Sequence, residues 1–575
     1  MPYQEKMNKP RVFLNPNEVY YKPEIYEKVR LKESYWPGDQ SRSLLDWTIG
    51  EALRKIASEV PDRVALVEAV PETAKRRRWT YAEMLTDAER VASALLARFN
   101  PGDRIAIWGD SVPEWLLTQL GCVIAGMAVV TINPAYKLKE AEYILRQSES
   151  SSLFSIEEYR GNHILATAKK IKEMNLPFLK EVVSFSDFDD FMNSASKRET
   201  FPEVKPKDCA MIFYTSGTTG LPKGAMLHHR GLVNYGFFEA ERMGMQIGGV
   251  WANAMPLCHF SGSVVSFLAS LMRAGTHILI RAWDPLKFIE VLESERCTDA
   301  FLVPTQVEAL VNNYNPEKHR VFLRNILSGA SFIEARLVKK VSLLFNGCRL
   351  ATAYGQTETH GAITMSHGDD ATAYQTDTVG QPFPLIELKI SDTKTGKVLP
   401  LNTVGEICMR GYQAMLGYYK KPEENAKTLD NDGWIHTGDL GTMDERGFLK
   451  ITGRLKEMII RGGLNIYPIE VESLLSQHPK IEKVAVVGVP DQYWGEQVGA
   501  VIMLKSSENR PTLDELIGFC RDSLAAFKVP KLWYYVEDLP CTATGKTQKY
   551  ELIDKIVKSE LTAAENMESH DHIRN

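Results

Sequence analysis

Residues 214–224 read YTSGTTGLPKG, a stretch with three glycines, four Ser and Thr hydroxyls and one lysine. An apolar run at 210–213 precedes it and predicts a buried strand. Glycines let a backbone approach a ligand closely, and N–H groups, hydroxyls and an ammonium bind phosphate oxygens. The pattern therefore predicts a phosphate-binding loop after a buried strand. It is not a P-loop, because Pro222 precedes Lys223 where that motif requires glycine.

Helix and strand patterns alternate on both sides of this loop, from about residue 45 to about residue 350. Thr80 followed by Glu83 forms a capping box and predicts a helix that continues to about Phe99. Residues 103–107 then predict a strand. This alternation is typical of parallel sheets covered by helices, so we expect an α/β fold.

The pattern changes after Leu385. Short strands are predicted at 386–390, 405–410 and 447–452, which indicates a β-rich subdomain. From about residue 457 a small α+β unit is predicted, with strands at 484–489, 498–504 and 532–536 and a helix at 512–526. The predicted organisation is an arm at 1–40, a large domain at 41–453, a hinge at 454–457, a small domain at 458–560 and a flexible tail at 561–575.

Composition excludes several classes of protein. The 575 residues have a net charge of −5, which gives no overall attraction to nucleic acid. The eight cysteines are scattered without a CxxC motif, and the first eleven residues lack the apolar core of a secretory signal. Residues 115–132 carry no charge, but we interpret them as a buried helix at 112–126 that leads into a strand at 127–132. We therefore expect a cytoplasmic protein without a transmembrane segment.

Six motifs in order show a resemblance to the adenylate-forming superfamily of acyl-CoA synthetases, adenylation domains and luciferases. The chain looks most similar to medium-chain fatty acyl-CoA ligases, over about residues 45–560. The motifs lie at residues 214–224, 354–358 (YGQTE), 437–439 (TGD), 453–456 (GRLK), 462–468 (GGLNIYP) and 544–546 (TGK).

The resemblance implies an enzyme that uses ATP, Mg²⁺ and CoA. A carboxylate attacks the α-phosphate of ATP to give acyl-AMP and pyrophosphate, and a thiol then displaces AMP. Since an anion must approach an anion, positioning and charge neutralisation are expected to supply the catalysis.

The resemblance also implies site residues. Lys546 is expected to bridge the substrate carboxylate and the α-phosphate as the catalytic cation, Thr357 to bind the α-phosphate, and Glu358 with Thr215 to bind magnesium. The remaining expected ATP-binding residues are Ser216, Gly217, Thr218, Thr219, Gly220, Lys223, Gly329, Ala330, Ser331, Tyr354, Gly355, Asp439 and Arg454. Lys456 matches the family hinge, and Gly462 with Gly463 matches the loop that meets the thiol.

The acyl pocket is expected to involve His259, Phe260, His360 and Gly361. His259 has two interpretations, a substrate-orienting residue or a structural cap of the following helix. His360 departs from the small residue usual in related ligases, so a His360 that faces the pocket would indicate a polar or shorter acid. Gln356 also replaces a more common apolar residue.

Alternatives remain open at this point. The acyl acceptor is free CoA or, alternatively, an acyl carrier protein or an amine. A third hypothesis is a catalytically inactive binding protein. The presence of all four expected site residues argues against it: Glu358, Asp439, Arg454 and Lys546. The sequence leaves the acid and the oligomeric state, monomer or homodimer, undecided.

Overall fold

The computed structural model describes residues 24–215, 221–329, 333–368, 370–506, 509–541 and 547–564. The chain divides into two compact units. The first comprises Met1–Lys389, Cys408–Thr437 and Met443–Lys450, and the second comprises Ile390–Ile407, Gly438–Thr442 and Ile451–Asn575.

Helices in the described residues have the following bounds. They are α1 Glu24–Lys28, α2 Ile49–Glu59, α3 Tyr81–Leu96, α4 Pro113–Ile124, α5 Leu138–Ser148, α6 Ile164–Glu173, α7 Phe188–Asn193, α8 His229–Met243, α9 Phe267–Met272, α10 Pro285–Ser294, α11 Pro304–Asn313, α12 Ala335–Leu344, α13 Thr372–Asp377, α14 Pro422–Thr428, α15 Pro468–Leu475, α16 Leu513–Arg521 and α17 Lys549–Val557.

The strands are β1 Tyr35–Trp36, β2 Val64–Glu68, β3 Arg78–Thr80, β4 Arg104–Trp108, β5 Ala128–Ile132, β6 Ser152–Ser155, β7 Glu181–Ser184, β8 Cys209–Thr215, β9 Lys223–His228, β10 Val250–Asn253, β11 Thr276–Leu279, β12 Asp299–Phe301, β13 Asn325–Gly329, β14 Arg349–Gln356, β15 Gly361–Met365, β16 Gln381–Pro382, β17 Ile386–Ser391, β18 Gly405–Gly411, β19 Gly417–Tyr418, β20 Ile435–Met443, β21 Leu449–Arg454, β22 Ile459–Arg461, β23 Leu464–Ile466, β24 Ile481–Asp491, β25 Gly495–Leu504 and β26 Leu532–Val536.

Two large sheets form the first unit. The seven-stranded sheet has the order β19-β9-β8-β5-β4-β6-β7, and its strands β4 to β8 are parallel to one another. The nine-stranded sheet has the order β16-β15-β14-β13-β12-β10-β11-β2-β3, with a parallel centre from β2 to β14. Helices alternate with these strands along the chain, which confirms the predicted α/β class.

The predicted phosphate-binding loop lies where β8 ends and β9 begins. These two strands pair antiparallel, and their last matched residues are Thr215 and Lys223. The buried strand predicted before the loop is confirmed as β8.

The uncharged run at 115–132 forms the helix and strand that we predicted. It falls in α4 and β5, and every residue of β5 is buried. Among the described residues, no helix is both long enough and apolar enough to cross a membrane.

Near the N-terminus the described residues are more ordered than the predicted arm implies. Tyr26 and Trp36 are fully buried, their rings stack 5.4 Å apart, and β1 pairs antiparallel with β17. Two large aromatic side chains bury enough apolar surface to fix this short segment, although it has no periodic pattern.

The small unit contains the predicted α+β elements around a sheet of order β23-β22-β25-β24, with β26 parallel to β25. Alternate residues of β24 belong to opposite faces. Val486 packs in one apolar cluster with Trp533, whereas Ala485 and Val487 pack in another with Leu552. Because successive side chains of a strand point to opposite faces, β24 packs against helices on both faces of the sheet. The remaining sheet has the order β1-β17-β18-β20-β21.

Gly121 provides a test of the packing between α3 and α4. A Cβ at this position would lie 2.3 Å from Cγ1 of Val91, so the two helices approach too closely for any side chain. Gly121→Ala should destabilise the fold by about 2 kcal/mol through overpacking. Gly518→Ala is the matched control in α16, where a Cβ would meet no atom within 4 Å. It should stabilise by about 0.5 kcal/mol through helix propensity. The thermal midpoints of both variants check this; equal shifts would contradict the proposed close contact.

Candidate active site

The carboxylate of Glu358 lies at the centre of the candidate site in the first unit. Its Oε1 accepts a hydrogen bond from the Thr215 hydroxyl at 3.2 Å and from the Tyr418 hydroxyl at 2.8 Å. Its carbonyl oxygen accepts from the Met415 N–H at 3.0 Å. Burial and the adjacent Glu358 raise the pKa of Tyr418, so its hydroxyl stays protonated and donates. Two hydroxyls therefore orient this carboxylate, and one backbone amide holds the main chain of Glu358.

Glu358 is positioned by the sharp turn that joins β14 to β15. The turn contains a 3₁₀ segment at Thr357–Thr359, and the strand register shifts between Tyr354 and Gly355. A Cβ at Gly355 would lie 1.9 Å from the carbonyl oxygen of Gly361. Only glycine fits this approach, so Gly355 is required by the turn itself.

The donor set around Glu358 suits a hard cation. A carboxylate and the Thr215 hydroxyl lie together, and both are oxygen ligands of the kind that Mg²⁺ prefers. The residues present therefore fit the magnesium ion that the resemblance implies.

Lys223 begins β9 on the far side of the predicted loop. Its ammonium pairs with the Glu424 carboxylate and lies 5.2 Å from the centre of the Tyr418 ring. Lys223 and Glu358 therefore both contact the side chain of Tyr418. The structure thus brings together Thr215, Lys223 and Glu358 from the predicted site residues.

The other predicted nucleotide residues of this unit lie at strand ends. Gly329 ends β13 and pairs in register with Ala353, next to the half-buried Tyr354 on β14. Thr357 is half-buried and its carbonyl accepts from the His360 N–H at 3.1 Å. Predicted site residues that lie outside the described residues are Ser216, Gly217, Thr218, Thr219, Gly220, Ala330, Ser331 and Lys546.

Gln356 is explained by a hydrogen bond from its side chain. Its amide nitrogen donates to the Thr437 carbonyl at 2.8 Å, which joins the turn to β20. An apolar side chain at this position lacks that bond.

His360 is fully buried, and backbone groups occupy both ring nitrogens. Nδ1 lies 2.8 Å from the Gln413 carbonyl oxygen, and Nε2 accepts the His228 N–H at 2.9 Å. Burial, with a smaller contribution from His228, holds the pKa of His360 well below its usual range. No ring nitrogen remains to bind a polar group of a substrate, so the structure gives no support to a specificity role through these atoms.

His259 makes the contact that one of its two predicted interpretations requires, a cap of the following helical segment. Its Nδ1 accepts the Ser261 N–H at 3.2 Å, at the start of a π-helical segment Ser261–Ser266, so the ring caps that segment. Desolvation of the imidazole by the surrounding protein lowers the pKa of His259 to about 4. π-Helical turns are frequent at functional sites.

Phe260 and Gly361 pack against each other beside this segment. The Phe260 ring is buried, with its centre 5.7 Å from that of Phe213 and 5.8 Å from that of Tyr235. A Cβ at Gly361 would lie 2.7 Å from both Phe260 and Tyr235, and its φ is +112°. The two predicted pocket residues therefore touch across one aromatic cluster.

In the second unit, Asp439 and Arg454 form an ion pair. The arginine Nε lies 3.0 Å from Oδ1 of the aspartate, and Asp439 is buried on β20. The structure thus brings together the two residues predicted to hold the ribose.

The predicted hinge and thiol-side loop also lie in the second unit. Lys456 is exposed within a 3₁₀ segment, Leu455–Glu457. Gly462 and Gly463 form the two-residue turn between β22 and β23, with φ of +57° and +82°. Two successive positive φ values are typical of a tight hairpin, which explains the glycine pair.

Tyr418 and Gln413 are two residues of the candidate site that the sequence did not predict. Tyr418 lies on β19, which pairs with β9 and so reaches Glu358 from a distant part of the chain. The short GYYK context of Tyr418 carries no spacing signal for this contact. Gln413 lies in a loop, and only its hydrogen bonds to Thr359 and Ala362 reveal its role.

Comparison with known proteins identifies the same family over most of the chain. Residues 53–419 match the AMP-binding enzyme family, and residues 470–546 match the AMP-binding enzyme C-terminal domain. A putative acyl-CoA synthetase of Bacillus subtilis, YngI, is 34% identical over 90% of this chain and 98% of its own length. The human mitochondrial medium-chain acyl-CoA ligase ACSF2 is 33% identical over 91% of this chain and 90% of its own.

Solved structures show the same similarity. ATP-bound MatB from Rhodopseudomonas palustris superposes with a TM-score of 0.78 at 29% identity, over 89% of this chain and 99% of MatB. The o-succinylbenzoate CoA synthetase of Bacillus subtilis, in complex with its acyl-adenylate intermediate, gives a TM-score of 0.76 at 27% identity, over 88% and 98% of the two chains.

The thiol of Cys258, next to His259, gives a test of how deeply this segment is buried. Burial, with a smaller contribution from Asp110, raises the pKa of Cys258 to about 12. At pH 8 only about one thiol in ten thousand is ionised, and the thiolate is the reactive form. Iodoacetamide should therefore modify the exposed Cys541 and spare Cys258 in the folded protein. Each pH unit above 8 should raise the rate at Cys258 about tenfold. Peptide mass spectrometry measures both; equal rates at pH 8 would contradict this environment.

Proposed function

Because the chain belongs to the AMP-binding enzyme family, we propose that it is an ATP-dependent acyl-CoA ligase whose reaction takes place at Glu358. In the first half-reaction an oxygen of a carboxylic acid attacks the α-phosphorus of ATP, which forms acyl-AMP and releases pyrophosphate. In the second, the thiol of CoA attacks the acyl carbon and AMP leaves. The observation that carries the proposal is the Glu358 carboxylate held by the Thr215 and Tyr418 hydroxyls.

The proposed magnesium ligands are Glu358 and Thr215. When bound there, Mg²⁺ neutralises phosphate charge and holds the phosphate oxygens in place. The Tyr418 hydroxyl donates a hydrogen bond to the same carboxylate and so holds its oxygens in one orientation toward the metal site. A carboxylate oriented in this way needs little reorganisation during the reaction, and this preorganisation lowers the activation barrier.

Two lysines supply the positive charge in this proposal. Lys223 pairs with Glu424 in the structure, and we propose that its ammonium exchanges this partner for a phosphate oxygen of ATP. Lys546 keeps the role that its motif implies, the bridge between the substrate carboxylate and the α-phosphate. Asp439 and Arg454 are proposed as ribose ligands, and Lys456 as the hinge.

We propose a medium-chain fatty acid or a related apolar acid as the substrate. The relatives named medium-chain acyl-CoA ligases support this class. The apolar residues Val264, Val265 and Phe267, which follow His259 in the chain, are consistent with a hydrocarbon chain. CoA is the proposed acceptor. A reducing compartment such as the cytoplasm fits the eight free cysteines.

Pyrophosphate exchange tests the first half-reaction. With ATP, Mg²⁺ and labelled pyrophosphate but no thiol, we expect exchange with acids of medium chain length. Lys546→Ala should lower the exchange rate by at least about a hundredfold, since it removes a cation that stabilises the transition state. Subsequent addition of CoA, but not of an amine, should release AMP stoichiometrically. Absence of exchange with every acid in the panel would contradict the proposal.

Two adjacent tyrosines test the role of Tyr418. Tyr418→Phe removes the hydroxyl that donates to Glu358 and should reduce exchange about tenfold, as for other groups that orient a metal ligand. Tyr419→Phe is the matched control, because its hydroxyl contacts Glu149 at 3.1 Å and not Glu358. Its exchange rate should stay within about twofold of the wild-type value. Equal rates in the two variants would show that the hydroxyl of Tyr418 is dispensable.

A further inference from the structure

His360 follows Glu358 by two residues and adopts a left-handed backbone conformation, with φ of +50°. The Gln413 carbonyl can only accept a hydrogen bond, and the His228 N–H can only donate one. The imidazole must therefore carry its hydrogen on Nδ1 and none on Nε2, with bonds of 2.8 and 2.9 Å to these two groups. One ring thus connects the turn after β14 to two other chain segments.

Gln413 returns two further bonds to the same turn. Its amide nitrogen donates to the Thr359 carbonyl at 3.1 Å and to the Ala362 carbonyl at 2.7 Å. The backbone on both sides of His360 is therefore held by one side chain. Since Met415 also donates to the Glu358 carbonyl, the segment 413–415 contacts the turn along its whole length.

Gly231 makes room for this ring. It lies in the first turn of α8, where a Cβ would be 2.4 Å from Cδ2 and 2.6 Å from Nε2 of His360. The His228 ring caps the same helix turn by accepting the Gly231 N–H at 3.0 Å, and its centre lies 4.4 Å from that of His360. The presence of glycine at 231 and of histidine at 360 is thus physically coupled.

We propose that His228, Gly231, His360 and Gln413 form a clamp that positions the Glu358 turn, with His360 as a positioning residue. The clamp joins this turn to His228 at the end of β9, and the same strand begins at Lys223. It therefore sets the metal-binding carboxylate relative to the lysine that contacts phosphate. This inference deepens the proposed function and rests on it, and it assigns His360 to the support of Glu358 and not to recognition of the acid.

A stability cycle tests the coupling without any turnover. Gly231→Ala should lower the thermal midpoint by about 3 °C in the wild-type background, because the new methyl group overlaps the His360 ring. In the His360→Gly background the same change should leave the midpoint unchanged or raise it, since the ring is gone and alanine favours a helix. Glycine tolerates the left-handed backbone at 360, so His360→Gly adds no backbone strain. Equal shifts in both backgrounds would overturn the clamp.

Magnesium dependence tests the positioning role. In pyrophosphate exchange, His360→Gly should raise the Mg²⁺ concentration for half-maximal rate by roughly tenfold, as for other second-layer partners of metal ligands. The KM for the acid should change by less than about twofold, because the ring does not contact the acid. Calorimetric titration of ATP·Mg²⁺ without acid should show a similar loss of affinity. His360→Asn should recover part of it, because asparagine tolerates the left-handed conformation and can donate to Gln413.

Leu310→Ala is the control for general destabilisation. Leu310 is a fully buried residue of α11, and its apolar cluster includes no residue of the Glu358 turn. It should lower the thermal midpoint and leave the Mg²⁺ dependence unchanged. An equal rise in Mg²⁺ requirement in Leu310→Ala and His360→Gly would overturn the positioning role. A wild-type enzyme that shows no exchange with any acid would refute the proposed function, whereas the stability cycle would still decide whether the clamp exists.

Discussion

The hydrogen bonds to the Glu358 carboxylate connect the two sheets of the first unit. Glu358 follows the nine-stranded sheet at the end of β14, whereas Thr215 and Tyr418 belong to β8 and β19 of the seven-stranded sheet. These last two strands flank β9, so the hydroxyls reach the carboxylate from both sides of the strand that begins with Lys223. The proposed site depends on this junction, because a shift of either sheet separates the carboxylate from the lysine.

The chemistry explains why such rigidity matters. Acid and ATP are both anions, and the enzyme must bring them together without a nucleophilic side chain of its own. Preorganised charges lower the barrier only when their positions are fixed before the substrate arrives. The glycines at 355 and 361 allow a turn that is too tight for other residues, and hydrogen bonds to Gln413 and Met415 hold it. Much of the sequence in this region thus serves geometry and not direct contact with substrate.

Local patterns predicted most of the fold. The capping box at Thr80 and the uncharged run that forms α4 and β5 each specify an element from short-range information, and the strand predicted at 484–489 lies within β24. The order of strands in the sheets was not predicted, because it depends on pairing between distant segments. The packed segment with Tyr26 and Trp36 was also missed, since two buried aromatic residues are enough to hold it and leave no period in the sequence.

The candidate site was predictable only where a motif carries its chemistry. Thr215, Lys223 and Glu358 lie in dense local motifs, and the structure brings them together. Tyr418 and Gln413 act through contacts with residues far away in the chain, so nothing near them in the sequence marks their role. His360 was noticed as a departure from related ligases, but its proposed pocket role rested on the residue type alone. The bonds of both ring nitrogens to backbone groups became visible only in three dimensions.

The most direct test of the account follows the oxygen atoms of the acid. A medium-chain acid labelled with ¹⁸O in both carboxylate positions is incubated with the enzyme, ATP, Mg²⁺ and CoA, and the products are analysed by mass spectrometry. Attack on the α-phosphorus followed by thiol displacement leaves one acid oxygen on AMP, so AMP should gain a single ¹⁸O and pyrophosphate none. Label in pyrophosphate or inorganic phosphate, or unlabelled AMP alongside acyl-CoA, would contradict an acyl-adenylate intermediate.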